Sequence, residues 1–210
     1  MQCWNCGVRE IDGALFCPSC KSLQNPETGY FEFLGLEPRL ALDTKTLETR
    51  FYELSRQLHP DRYGRRPEQE RQYSLEATAI LNDAWRVLRD PVERAEYVLD
   101  QSGFHIAEQR SADVPPELLE EVFELNMALE ELREGDASAR PHLEEARGRF
   151  VSMQDAIDAE LGRLFAQHDR APESEKRGVL TEIRGVLNRR RYIQNLIRDV
   201  EKELNANVSD

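Results

Sequence analysis

The sequence predicts an all-α protein preceded by a small zinc-ribbon-like module. Three observations carry this reading. From residue 30 onward apolar residues recur at helical spacings of three and four. The composition, 40% apolar and 32% charged with 11 Gly and 10 Pro, suits small helical cores rather than a β-sandwich or a doubly wound sheet. All four cysteines lie within the first twenty residues.

The 210 residues allow one large domain or two to three small ones. Lys and Arg total 28 and Asp and Glu 40, a net charge of −12. That balance argues against nucleic acid as a partner, because phosphate-backbone binding needs a basic surface. No apolar run approaches the 18 or so residues of a membrane span. Met1-Gln2-Cys3-Trp4 opens neither a signal peptide nor an Arg/Ser-rich transit segment. The expected address is the bacterial cytoplasm, or the mitochondrion if a presequence has been omitted.

The first module spans residues 1–25. Cys3, Cys6, Cys17 and Cys20 form CxxC, ten residues, CxxC. Each CxxC can turn both sulfurs toward one point, and two such turns complete the tetrahedral thiolate site that Zn²⁺ accepts. Gly7 follows the first pair, where a left-handed residue is often needed. Val8 to Phe16, with Asp12-Gly13 as turn signal, reads as a hairpin, with Trp4 and Phe16 covering the metal. Two disulfides would need an oxidising compartment, and a redox CxxC would need a βαβ context. Iron fits the same sulfurs less well than zinc. Four thiolates leave no open coordination position, so the metal is expected to be structural.

Residues 21–29 read as a polar connector. Tyr30 to Leu36 forms a short apolar turn or helix. Asp43 is the N-cap candidate for a helix with Leu47, Phe51, Leu54 and Leu58 on one stripe. Pro60 ends that helix near His59. After a loop over residues 59–67, a longer helix turns Tyr73, Ala77, Ile80, Leu81, Ala84, Val87 and Leu88 inward. Asp90-Pro91 breaks it, and a last helix runs from Val92 to Leu99.

This order of helices, with His59-Pro60-Asp61 between the two long ones, YFEFLGL before it and LNDAWRVLRDPVERAEY after it, resembles a J domain over residues 30–104. The resemblance implies docking on a DnaK-type ATPase. His59, Pro60 and Asp61 are then the trigger, and Arg50, Arg56 and Arg62 the docking cations, with Arg65 and Arg66 as possible additions. The local charge agrees: residues 50–66 hold five Arg against Glu53 and Asp61, +3 in a chain of −12.

A weakly patterned stretch, residues 105–114, leads to a third region over residues 115–207. Its first helix carries Leu118, Val122, Leu125, Leu129 and Leu132 and stops at Gly135. Its second carries Leu143, Ala146, Phe150, Met153, Ile157, Leu161 and Leu164. Pro172 opens the third, with Ile183, Val186, Ile193, Ile197, Val200 and Leu204. Three such seams predict an antiparallel three-helix bundle. Leu119, Phe123 and Met127 form a second apolar stripe on the first helix, bordered by Glu120, Glu121, Glu124 and Glu130. Residues 113–161 hold fourteen acids and four Arg. Apolar residues ringed by carboxylates suit a basic protein partner, although a wide stripe can also pack on both neighbouring helices. His105, His142 and His168 stand apart from any nucleophile or metal spacing and read as surface or packing residues, so no enzyme chemistry is expected.

A J domain followed by an acidic three-helix bundle, without a Gly/Phe-rich segment, resembles the HscB family of co-chaperones of iron–sulfur cluster assembly. The tetracysteine module resembles that of animal and plant members. The resemblance implies two partners: a DnaK/HscA-type ATPase and an IscU-like cluster scaffold, bound through Leu119, Phe123 and Glu124, with Met127 beside them and Tyr192 from RRRYIQNL on the last helix. Glu120 and Met127 depart from the family pattern, which suggests Met and Glu there. The alternative is a general J-domain co-chaperone for unfolded clients, which would favour a flexible client surface.

Overall fold

Caps and prolines set the helix boundaries. The computed structural model describes residues 1–9, 13–26, 29–104 and 118–206. Among them run α1 (Tyr30–Leu34), α2 (Thr44–Leu58), α3 (Glu68–Arg89), α4 (Pro91–Gln101), α5 (Leu119–Arg133), α6 (Arg140–Arg170) and α7 (Glu173–Ala206). The Asp43 carboxylate accepts the Lys45 and Thr46 N–H groups and starts α2, as its sequence predicts. The Asp90 carboxylate accepts the Val92 and Glu93 N–H groups, and Pro91 takes the first position of α4, where a missing N–H costs nothing. The weakly patterned stretch over residues 105–114 and the start of the third region at residues 115–117 lie outside the described residues, as does the turn signal at Asp12.

The chain divides into two compact units, residues 1–98 and 99–210. In the first, Phe31, Phe33 and Leu34 of α1, Leu47 and Leu58 of α2, and Ala77, Leu81, Ala84 and Leu88 of α3 form one core. Tyr73, Ile80 and Val87 lie at its margin, partly buried. Ser74 is fully buried on the same face of α3, a polar residue that periodicity alone passes over.

The connector is where expectation and structure part. Leu23 has no exposed surface and belongs to the core of α1–α3, and Ser22 and Gln24 are buried beside it. Polar residues at 21, 22, 24 and 25 mask one apolar anchor, so the stretch reads as solvated linker while folding as a dock. Among the described residues the isolated bridges are Gln2 with Arg9 and Phe16 with Leu23, each clasping one CxxC; the middle of the expected hairpin between Val8 and Phe16 lies outside the described residues.

In the second unit α6 and α7 are antiparallel, as their ion pairs require: Arg147 meets Glu201, and Arg190 meets Asp158. Leu125, Leu129 and Leu132 of α5, Leu143, Phe150, Ile157 and Leu161 of α6, and Ile183, Ile193 and Val200 of α7 are buried. Val122 and Met153 are only half-buried, and Leu196 replaces Ile197 as the buried member of its turn. His168 is buried, with Nδ1 3.2 Å from Asp169 Oδ1, whereas His142 is exposed.

Candidate docking surfaces and metal centre

The cysteine module is built from two equivalent knuckles. In the first, Cys3 N–H donates to Val8 O and Gly7 N–H to Cys3 O; in the second, Cys17 N–H donates to Ser22 O and Lys21 N–H to Cys17 O. The residue after each CxxC is left-handed, Gly7 at φ 73° and Lys21 at φ 62°. The result brings one sulfur from each of Cys3, Cys6, Cys17 and Cys20 within 4.8 Å of all the others. Cys3 Sγ lies 3.7 Å from Cys20 Sγ, and Cys6 Sγ 3.7 Å from Cys17 Sγ. A tetrahedron with metal–sulfur bonds of about 2.3 Å has edges of about 3.8 Å, so the four thiols fit a single metal ion.

Electrostatics points the same way. Burial opposes ionisation of Cys3, but the N–H groups of Cys6 and Asn5, the Ser22 hydroxyl and Cys17 outweigh it and bring the thiol down to about 5. At Cys6 the Val8 N–H favours the thiolate, yet burial and the other three sulfurs push it up to about 11. Four neighbouring thiols ionise together only around a cation. Val8 packs against Cys3 and Cys17. Trp4 and Phe16, expected to cover the metal, turn toward the helices: Trp4 Nε1 donates to Leu23 O at 2.7 Å and its ring meets Tyr73 edge-on, while Phe16 packs against the core of α1–α3.

The second site is the end of α2. Pro60 removes a donor that the last helical carbonyls would otherwise use, and the structure supplies others from α3. Leu58 O accepts from Ser74 Oγ at 2.6 Å and from Thr78 Oγ1 at 3.3 Å. Pro60–Arg62 then form a single 3₁₀ turn. His59 Nδ1 accepts the Asp61 N–H at 3.3 Å and lies 3.5 Å from Asp61 Oδ2. Tyr63 is buried and its hydroxyl donates to Gln57 O, pinning the exit of the turn to α2. His59 and Asp61 stay exposed, and so do Arg50, Arg56, Arg62, Arg65 and Arg66. The cations are not equivalent. Arg50 pairs with Glu53 at 3.0 Å, and Arg56 Nε bonds Tyr52 O. Tyr52, 55% exposed one turn before Arg56, was missed in sequence. The signal was an aromatic one step off the Leu47–Leu58 stripe.

The third site is the outer face of α5. Leu119, Phe123 and Met127 are 56%, 66% and 50% exposed, which decides against their packing between neighbouring helices. Glu124 reaches Arg149 of α6 at 3.6 Å. Arg133 of α5 pairs with Glu203 of α7, and Tyr192 is half-buried on α7. Burial holds the Tyr192 hydroxyl above its usual range.

Residues 29–97 match the DnaJ domain model, and residues 114–201 match the HSCB C-terminal oligomerisation domain. The chain is 34% identical over 146 residues to a co-chaperone protein HscB homolog of Vibrio vulnificus, covering 70% of this chain and 78% of that one. It is 28% identical over 200 residues to the human iron–sulfur cluster co-chaperone protein HscB, covering 93% of this chain and 79% of the relative. The crystal structure of human co-chaperone protein HscB superposes with a TM-score of 0.71 at 25% identity, over 97% of this chain and 98% of that one.

Proposed function

The chain belongs to the HscB family of co-chaperones, and from that premise we propose that it joins an iron–sulfur cluster scaffold to a DnaK/HscA-type ATPase and stimulates that ATPase. One observation carries the reading: the His59-Pro60-Asp61 turn stands exposed at the arginine-rich end of α2, held there by buried Leu58, Ser74 and Tyr63.

Each residue has a physical task. Pro60 fixes the direction in which the chain leaves α2. The exposed Asp61 carboxylate is available to an arginine of the ATPase, and His59 supplies a ring contact or a hydrogen bond. Arg50, Arg56 and Arg62 provide attraction toward an acidic surface. A tenfold to hundredfold stimulation requires lowering the partner's barrier by only ~1.4–2.7 kcal/mol, which docking alone can supply. Hydrolysis belongs to the partner.

At the other site, Leu119, Phe123 and Met127 offer an apolar strip to an IscU-like scaffold, with Glu124 as a charged border and Tyr192 of α7 as a further contact. Cys3, Cys6, Cys17 and Cys20 would hold one Zn²⁺ in a structural role, since four thiolates leave no open position for catalysis. The test is a native-lysate pull-down beside Leu119→Ala/Phe123→Ala, coupled to ATPase stimulation. Recovery of a cluster scaffold by wild type alone supports the reading. Recovery of unfolded clients by both proteins overturns it in favour of a general co-chaperone.

A further inference from the structure

The second knuckle needs a left-handed residue after Cys20, and the first shows that glycine meets that need at Gly7. The second uses Lys21 instead, at φ 62°, where a side chain is disfavoured. Knuckle geometry does not explain the lysine, but its surroundings do. Lys21 lines an open cleft with Phe16 of the same module and with Gln57, Arg62, Tyr63 and Arg66 of the HPD end of the J domain. The cleft holds about 430 Å³, room for several side chains. Its one lining anion, Glu70, is buried and already accepts the Leu23 N–H at 3.1 Å. Lys21, Arg62 and Arg66 are all exposed around it. Lys21 Nζ donates one hydrogen bond to Pro18 O, which leaves two protons for a ligand.

We propose that the metal module is one wall of the chaperone-docking surface: Lys21 joins Arg62 and Arg66 to receive an acidic segment of the DnaK-type ATPase. The proposal rests on the co-chaperone reading above and extends its docking face from α2 onto the cysteine module. Two features favour this occupant. Three cations converge where the chain as a whole is acidic, so an acidic ligand is selected. The cleft is also continuous with the HPD turn, because Arg62 belongs to both. The acidic face of a scaffold protein is a competing occupant that the test separates.

The experiment titrates the full-length, metal-loaded chain against the ATP-bound DnaK-type ATPase in single turnover, at low and high salt. Lys21→Gly removes the cation while relieving the left-handed strain, so it does not damage the knuckle. Arg66→Ala removes the opposite wall and keeps the backbone bond from Arg66 N–H to Tyr63 O. Each variant is expected to raise the half-saturating concentration about two- to fivefold at low salt, with maximal stimulation kept and salt dependence reduced. Wild-type half-saturation in both variants overturns the proposal and leaves the co-chaperone reading standing. A weakening seen only when scaffold is added assigns the cleft to scaffold and also overturns it. No stimulation by wild type at all removes the co-chaperone reading itself, and this inference with it.

Discussion

Glu70 Oε1 accepts the Leu23 N–H at 3.1 Å, with both residues buried. This bond joins the cysteine module to α3, and Leu23 O completes the joint by accepting from Trp4 Nε1. Glu70→Ala strands a buried amide, which costs about 1–3 kcal/mol. The variant should unfold at lower denaturant, and its Leu23 amide should lose protection in hydrogen exchange. Glu70→Gln keeps an acceptor and should recover most of both. An unchanged Leu23 amide in Glu70→Ala would show that the joint is held elsewhere.

Leu58 O shows how the trigger turn is positioned. Ser74 Oγ, fully buried, donates to it at 2.6 Å. Ser74→Ala should cost about 1–2 kcal/mol and blunt ATPase stimulation, since the end of α2 is less firmly held. His59→Gln should instead abolish stimulation with helicity and melting point unchanged, because the His59 side chain is exposed. Circular dichroism and single-turnover hydrolysis distinguish the two. Full stimulation by His59→Gln would remove the trigger assignment.

The helices were legible because their signals are local: Asp43, Pro60, Gly135 and the apolar stripes act within one or two turns. The metal ligands were legible because the knuckle imposes a fixed CxxC spacing. What escaped was long-range. Leu23 finds its place through Glu70, 47 residues away, and Ser74 finds Leu58 across 16, so neither shows in a periodic pattern. Trp4 and Phe16 were assigned to the nearer object, the metal, whereas Trp4 meets Tyr73 of α3 and Phe16 packs against the α1–α3 core.

Asp43 gives the chain a pH-dependent cap. The Thr46 side chain, then the Lys45 and Thr46 N–H groups, hold its carboxyl below the usual carboxylate value. A depressed folded-state value means that the stabilisation is complete above the unfolded value, about 3.9, and fades as pH falls through the folded one. Asp43→Ala should therefore melt below wild type near neutrality. The gap should close as the medium is taken below about pH 4. A gap constant with pH would mean that the cap acts through shape rather than charge.

Metal removal should reach beyond the cysteine module. Small thiolate modules of this kind fold around their ion, and Leu23, immediately after the second knuckle, sits inside the α1–α3 core. Elemental analysis should give about one zinc per chain. A chelator should lower the melting point of the J domain as well as release the module. A melting curve for the J domain that ignores the chelator would separate the two.

Leu119 and Phe123 provide the sharpest separation of binding from stability. At 56% and 66% exposure they contribute little to the bundle, so Leu119→Ala/Phe123→Ala should leave stability within about 0.5 kcal/mol of wild type. Buried against a scaffold protein, the same two side chains become anchors, and their joint truncation should weaken binding at least tenfold, about 1.4 kcal/mol. Calorimetry against an IscU-like scaffold measures the second effect, and thermal melting the first. Tyr192→Ala tests how far the surface extends: half-buried on α7, it should weaken the same binding if the scaffold also touches α7. Weakened binding with a lowered melting point would mean that packing had been disturbed. Unweakened binding in the double variant would move the scaffold contact off α5.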